Sequence, residues 1–194
     1  MSIAQEQHSY SPEEYLEQEI KSDERHEYID GQIITMTGGT PNHNQIAGNF
    51  YATINFFLRR QPYRVFVADQ RLWIPKKRIH TYPDVMIVAT PLLFQEGRRD
   101  TLTNPLIIAE VLSKSTRNFD KDEKFAAYRT IPSFQEYLLI DQYTMHVEQY
   151  SKTENNKWIF SEYDDNQATI SLASLSFQIS LADIYDKIDF ESES

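Results

Sequence analysis

Residues 104–128, NPLIIAEVLSKSTRNFDKDEKFAAY, decide how the chain is read. The apolar run from Leu106 to Leu112 has the length and composition of a buried strand. Residues 118–130 predict a helix that must end before Pro132. Glu110 lies inside the apolar run. A carboxylate there costs several kcal/mol unless a cation or hydrogen-bond donors meet it. What, then, does Glu110 face?

A second stretch poses the same question. In TYPDVMIVAT, residues 81–90, Asp84 heads the apolar run Val85 to Ala89, and Pro83 confines that point of the chain to an edge or a strand start. Taken singly, each acid has an ordinary explanation: Asp84 caps a turn, and Glu110 pairs with an arginine. Two apolar strands that each carry one carboxylate favour a shared metal or catalytic site. If the strands are neighbours, both acids enter one space and cannot both ionise cheaply without a cation between them. Mg2+ (or Mn2+) suits such a pair, because it needs few protein carboxylates and neither His nor Cys.

The rest of the chain supplies a frame. Ser11-Pro12-Glu13-Glu14 is a capping box and predicts a helix over residues 12–20. Residues 26–37 read as a hairpin turning at Asp30-Gly31. Ile46, Phe50, Ile54, Phe57 and Leu58 recur at helical spacing and predict a long amphipathic helix over residues 42–60. Strands are expected over residues 64–68, 71–75 and 82–89, followed by a connection, 90–103, with room for a short helix. Residues 136–141 and 145–151 read as a strand pair around Gln142-Tyr143. Weaker strands follow at 158–163 and 168–172, then a short helix from Leu181. No repeat, low-complexity segment or linker interrupts the pattern. It predicts a single α/β domain over residues 1–194, with its core at about 10–185 and frayed ends at 1–9 and 190–194.

Composition narrows the function classes. A hydrophobic content of 40 % with 13 % aromatics supplies a sizeable core and excludes a disordered acidic chain. The absence of cysteine excludes disulfides, thiolate zinc sites and cysteine nucleophiles. The N-terminus lacks a signal pattern and no apolar run approaches membrane-spanning length, so a cytoplasmic, membrane-free protein is expected. The net charge of −10 argues against a general nucleic-acid binder, yet it is unevenly spread. Residues 55–99 hold Arg59, Arg60, Arg64, Arg71, Lys76, Lys77, Arg78, Arg98 and Arg99 against Asp69, Asp84 and Glu96. Such a basic middle either steers a polyanion or is ordinary solvated surface.

One ordered set of strings carries a family resemblance: EYIDG from Glu27, His43, PDVMIV from Pro83, EVLS-ST from Glu110, Asp120–Lys124–Tyr128, and EYLLID from Glu136. It resembles the Uma (Uma-two) family of endonucleases within the PD-(D/E)XK superfamily, over nearly the whole chain. The resemblance implies a restriction-endonuclease-like mixed β-sheet flanked by helices, with an N-terminal helix plus hairpin and C-terminal antiparallel strands. It further implies metal-assisted hydrolysis of phosphodiester bonds in DNA by a homodimer. Asp84 and Glu110 would hold the metal with the Val111 carbonyl, and Glu27 would be an accessory acid for a metal-bound water. Glu27 is equally readable as a solvated strand residue beside Arg25 and His26.

The superfamily lysine is the point of departure, because its position here is Leu112. Lys114 shares a strand face with Glu110 but lies ~13 Å further along. Lys124 sits six residues into the helix, ~9 Å along its axis, within reach of the acids for a long side chain. It is also readable as the partner of Asp120 at i,i+4 on a solvated face. Lys121 is a third choice. His43, at the start of the long helix, matches a histidine place in the family and could meet a phosphate there, or be ordinary polar surface. The other histidines show no ligand spacing, and Tyr128 is a core anchor or a hydrogen-bond donor near the site. Three functions fit: a metal-dependent endonuclease, a nuclease-fold binding or regulatory module without catalysis, and an acidic metal-binding protein.

Overall fold

The computed structural model describes residues 8–114 and 116–190. The expected fraying of residues 1–7 and 191–194, and Ser115 of the EVLS-ST string, lie outside the described residues.

The chain opens with α1 (Pro12–Glu19), closed at its start by the reciprocal Ser11–Glu14 capping box. A hairpin of β1 (His26–Ile29) and β2 (Gln32–Thr35) follows. It turns through Asp30 (φ 40°) and Gly31 (φ 99°), the positive-φ pair that a two-residue hairpin loop demands. Then comes α2 (Pro41–Phe57), with Thr40 as its N-cap.

Next are β3 (Tyr63–Val67), β4 (Arg71–Ile74), β5 (Ile79–Thr81) and β6 (Val85–Ala89). After β7 (Thr101–Leu102) and β8 (Pro105–Leu112), residues 117–128 form one helical stretch in three parts. These are α3 (Arg117–Phe119), a π-helical turn (Asp120–Lys124) and α4 (Phe125–Tyr128). The last elements are β9 (Glu136–Asp141), β10 (Val147–Lys152), β11 (Trp158–Tyr163), β12 (Thr169–Leu172), β13 (Phe177–Ser180) and α5 (Leu181–Ile184).

A six-stranded sheet, ordered β11-β10-β9-β8-β6-β3, is the frame. Among the described residues its only parallel pair is β8–β9, and the helical stretch 117–128 makes the crossover that a parallel pair requires. Alternation along the strands divides two cores. Val85, Ile87, Ile107, Ala109 and Val111 pack with α2, α5 and the β12–β13 hairpin. Met86, Val88, Ile108 and Leu112 pack on the other side with α4 and with Leu72, Ile74, Ile79 and Leu102 of a second sheet. That sheet runs β2-β1-β5-β4-β7. Glu110 falls by the same alternation on the second face, where both sheets and the crossover helix meet.

Three local expectations need correction. Residues 82–89 are not one strand: β5 ends at Thr81 in the second sheet and β6 starts at Val85 in the central one. Pro83, with no N–H to give a ladder, marks the change of sheet. The connection 90–103 holds no helix; Phe94 bridges Leu102, and β7 pairs in parallel with β4. Finally, β13 was not expected, and it closes a separate hairpin with β12.

Candidate active site

The register of β6 on β8 pairs Val85 with Ala109, so Asp84, one residue upstream, stands across from Glu110. The two carboxylates are interlocked through the backbone. The Asp84 N–H donates to Glu110 Oε2 (3.1 Å), and the Val111 N–H donates to Asp84 Oδ2 (2.7 Å). This is possible because β6 has not yet begun at Asp84, which leaves its N–H outside the ladder.

From the other side the helical stretch closes over Glu110. The Tyr128 hydroxyl donates to Glu110 Oε1 at 2.7 Å. Lys124 Nζ stands 3.4 Å from that same oxygen, 3.2 Å from Glu27 Oε1 and 3.1 Å from Asp120 Oδ1. Glu27, on β1, is fixed in turn by the Thr81 hydroxyl at 2.5 Å. Glu27 is thus not free, and its side chain is only partly exposed.

His43 completes the cluster, with Nε2 3.2 Å from Asp84 Oδ2. Its placement follows from the start of α2. The Thr40 hydroxyl accepts from the His43 N–H and donates to Gln142 Oε1, and the Gln142 amide donates to the Leu112 carbonyl. The first turn of α2 is therefore pinned to the end of β8. Side-chain exposure falls from Asp84 (22 %) and His43 (18 %) to Lys124 (9 %) and Glu110 (3 %), so the cluster is open at the Asp84–His43 side and closed beneath.

Electrostatics shows what the cluster lacks. Burial pushes the Glu110 carboxyl up to about 8; Lys124 opposes the rise, while Asp84 and Asp120 add to it. Burial disfavours the Lys124 ammonium, but Glu110, Glu27 and Asp120 outweigh it and hold that group well above its ordinary value. For His43, burial disfavours charge, yet the hydrogen bond and charge of Asp84, with Glu110 and Asp120, raise it overall. Tyr128 is pushed up by burial and then by Glu110. Four carboxyl groups thus share one lysine and one histidine, and positive charge is what their joint ionisation lacks.

Of the residues singled out from the sequence, Asp84, Glu110, Val111, Lys124, Glu27 and His43 come together. Two do not. Lys114 is exposed beyond the end of β8, with its Nζ 5.1 Å from the Tyr143 ring centroid. Lys121 forms an ion pair with Glu148 instead. Two participants lie outside the residues singled out: Asp120, which the sequence offers as a partner of Lys124 and as part of a family string, and Thr81. For Asp120 the signal was the spacing Asp120–Lys124–Tyr128, a repeat of four that puts all three on one side of a helix. Thr81 offered none.

Pairing of β10 with β11 also gathers His146, Glu148 and Glu162, each giving one ligand atom within 4.8 Å of the others, which linear spacing had not indicated. Lys121 already lies against the Glu148 carboxylate. The basic middle is partly neutralised, since Arg71 and Arg98 meet Asp100 and Arg78 meets Asp30.

Comparison with known proteins gives the family and the fold. A family model described as "Uma2: Putative restriction endonuclease" matches residues 12–182. The uncharacterized protein sll1609 of Synechocystis sp. is 41 % identical over 160 residues, covering 82 % of this chain and 90 % of its own. A second uncharacterized protein of that organism, slr1290, is 31 % identical over 182 residues, 93 % of each chain. A crystal structure from Anabaena variabilis, described as a "putative nuclease belonging to DUF820", superposes with a TM-score of 0.73 at 20 % identity, covering 91 % of this chain and 97 % of that one. The mixed α/β architecture is of the restriction-endonuclease-like kind.

Proposed function

The chain belongs to the Uma2 family, and from that premise we propose that it is a metal-dependent endonuclease that hydrolyses phosphodiester bonds in DNA. One observation carries this assignment: two interlocked carboxylates on facing strands, in a pocket short of positive charge, with a buried lysine beneath them. The donor set fits Mg2+ or Mn2+, being all oxygen.

Asp84 and Glu110 would hold the ion, with the Val111 carbonyl as the backbone ligand. The Val111 N–H already points at Asp84, and the N–H and C=O of one strand residue leave on the same side. The bound ion would supply Lewis acidity to a phosphoryl oxygen and lower the pKa of a water. Lys124 keeps its proton and sets a fixed charge below the acids, where it stabilises negative charge developing on phosphorus oxygens. His43, on the open side, orients Asp84 and meets the incoming phosphate. Glu27 steadies Lys124, a different task from the accessory metal acid that the family resemblance implied. From that resemblance we also propose a homodimer, and from the sequence pattern one domain acting in the cytoplasm; the edge strand β11 exposes Ile159 and Phe160, one on each of its faces.

The test is plasmid nicking with Mg2+ or Mn2+ by wild type and by Asp84→Ala, Glu110→Ala and Lys124→Ala. Nicking by wild type alone, with metal binding retained only in wild type and Lys124→Ala, supports the assignment. A second reading, a nuclease-fold binding module without catalysis, is favoured by Leu112 at the superfamily lysine position and by the three carboxylates that neutralise Lys124. It predicts that wild type does not nick under any metal and that added Mg2+ or Mn2+ does not stabilise it.

A further inference from the structure

Residues 120–124 wind as a π turn within an otherwise α-helical stretch. π turns are rare, and they occur frequently at functional sites. The consequence here is geometric. In an α-helix each i→i+4 step overshoots a full turn by about 40° at 3.6 residues per turn, so two such steps carry Tyr128 about 80° around the axis from Asp120. A π turn closes its hydrogen bonds at i→i+5 and winds less per residue. Its step from Asp120 to Lys124 therefore falls back, and the α step from Lys124 to Tyr128 makes up the difference. Asp120, Lys124 and Tyr128 then form one straight stripe. All three are buried, while Asp122 and Glu123 are exposed. Lys124 and Tyr128 both reach Glu110 Oε1, and Asp120 reaches Lys124.

We infer that Asp120, carried into line by the π turn, is a positioning residue that holds the Lys124 ammonium in place for the reaction; this rests on the nuclease assignment above. Asp120 is itself well anchored, since the Tyr137 hydroxyl donates to its carbonyl at 3.0 Å. Its Oδ1 is buried without an aligned hydrogen bond and lies 3.1 Å from Lys124 Nζ. An ammonium has three N–H bonds, and Glu110, Glu27 and Asp120 stand around it as a tripod. When Glu110 shares its charge with a divalent ion, its attraction for Lys124 weakens. Asp120 and Glu27 are the two legs that remain, and they keep the ammonium facing the acids rather than drifting with the metal.

The test uses Asp120→Asn, Asp120→Glu and deletion of Asp122, an exposed residue whose loss returns the turn to α winding. In metal-free protein, the Lys124 ammonium of wild type gives a slowly exchanging 1H–15N signal, and both Asp120→Asn and the deletion lose it. At saturating Mg2+, Asp120→Asn lowers kcat for plasmid nicking by about 10–100-fold, the usual range for a group supporting a metal-site residue. KM and the stabilisation of the fold by Mg2+ stay at the wild-type value, and Asp120→Glu restores part of kcat. A wild-type ammonium signal and kcat in Asp120→Asn overturn the inference. So does a loss of Mg2+ stabilisation in that variant, which makes Asp120 a metal ligand. If wild type does not nick at all, the nuclease assignment fails, and the ammonium signal still decides whether Asp120 positions Lys124.

Discussion

Two glutamates on neighbouring parallel strands are almost equally buried and differ in everything else. Glu110 of β8 is 3 % exposed and Glu136 of β9 is 2 % exposed. They point to opposite faces of the central sheet: Glu136 alternates with Leu138 and Ile140 of one core, Glu110 with Ile108 and Leu112 of the other. Glu136 is met by neutral donors, the Gln149 amide and the N–H and hydroxyl of Ser174. Glu110 also has donors, Tyr128 and the Asp84 N–H, but it is crowded by Asp84 and Asp120 with one lysine to compensate. Burial alone therefore says little about function. A buried carboxylate satisfied by dipoles ties the structure together, whereas one crowded by like charges marks a place where a cation is wanted.

The comparison breaks first on activity. Glu110→Gln should lower metal-dependent nicking by about 10²–10³-fold, the scale of losing a central electrostatic group, while Glu136→Gln leaves it unchanged. A comparable loss in Glu136→Gln would mean that the two sites are coupled through the β8–β9 pair.

Stability sharpens it next, and with opposite sign. Glu136→Gln turns an acceptor pair into one acceptor and one donor facing the Gln149 amide, at a cost of about 1–3 kcal/mol. Glu110 behaves otherwise. A carboxyl raised from 4.5 to about 8 in the folded chain keeps a proton that the unfolded chain releases. Metal-free protein therefore loses stability as pH rises from about 4.5 to about 8, and the dependence is level below that window. Glu110→Gln should melt above wild type at pH 8 and converge with it near pH 4.5, as thermal scans across pH will register.

A smaller effect concerns the open side of the cluster. A methyl group on Gly39 would lie 2.7 Å from His43 Nδ1 and 3.0 Å from Cγ, so Gly39→Ala forces the ring that meets Asp84 to shift. Its nicking rate should fall to that of His43→Ala, with stability within about 1 kcal/mol of wild type. If Gly39→Ala remains active while His43→Ala does not, the ring adapts without losing Asp84. The smallest effect belongs to Lys121→Gln, which removes a partly exposed ion pair with Glu148. It should change stability by no more than about 1 kcal/mol and nicking not at all. Together with Lys124→Ala it separates the two lysines of the helical turn.

Much of this site was legible because two kinds of signal coincide in Glu110 and Asp84: hydrophobic patterning that demands burial, and a charge that resists it. Lys124 was reachable from helix rise together with its place in the Asp120–Lys124–Tyr128 string. Asp120 was misjudged because an i,i+4 Asp–Lys pair usually lies on a wet surface, and a π turn leaves no mark in hydrophobic periodicity. Thr81 was hidden for a different reason. Its role depends on β5 leaving the central sheet to pair with β1, and Tyr82-Pro83-Asp84 read as one strand concealed that change. The strand β13 escaped because its partner β12 lies outside both larger sheets, so neither patterning nor length announced it.

The central claim is that Glu110 is buried beside Asp84 to bind a divalent cation. The most direct measurement is the melting temperature of wild type, Glu110→Gln and Glu136→Gln at pH 8 as Mg2+ or Mn2+ is added in the absence of DNA. Ligand linkage predicts a rise that grows with the logarithm of free metal in wild type and Glu136→Gln, and none in Glu110→Gln. Equal responses in all three proteins, or no response in any, would contradict it.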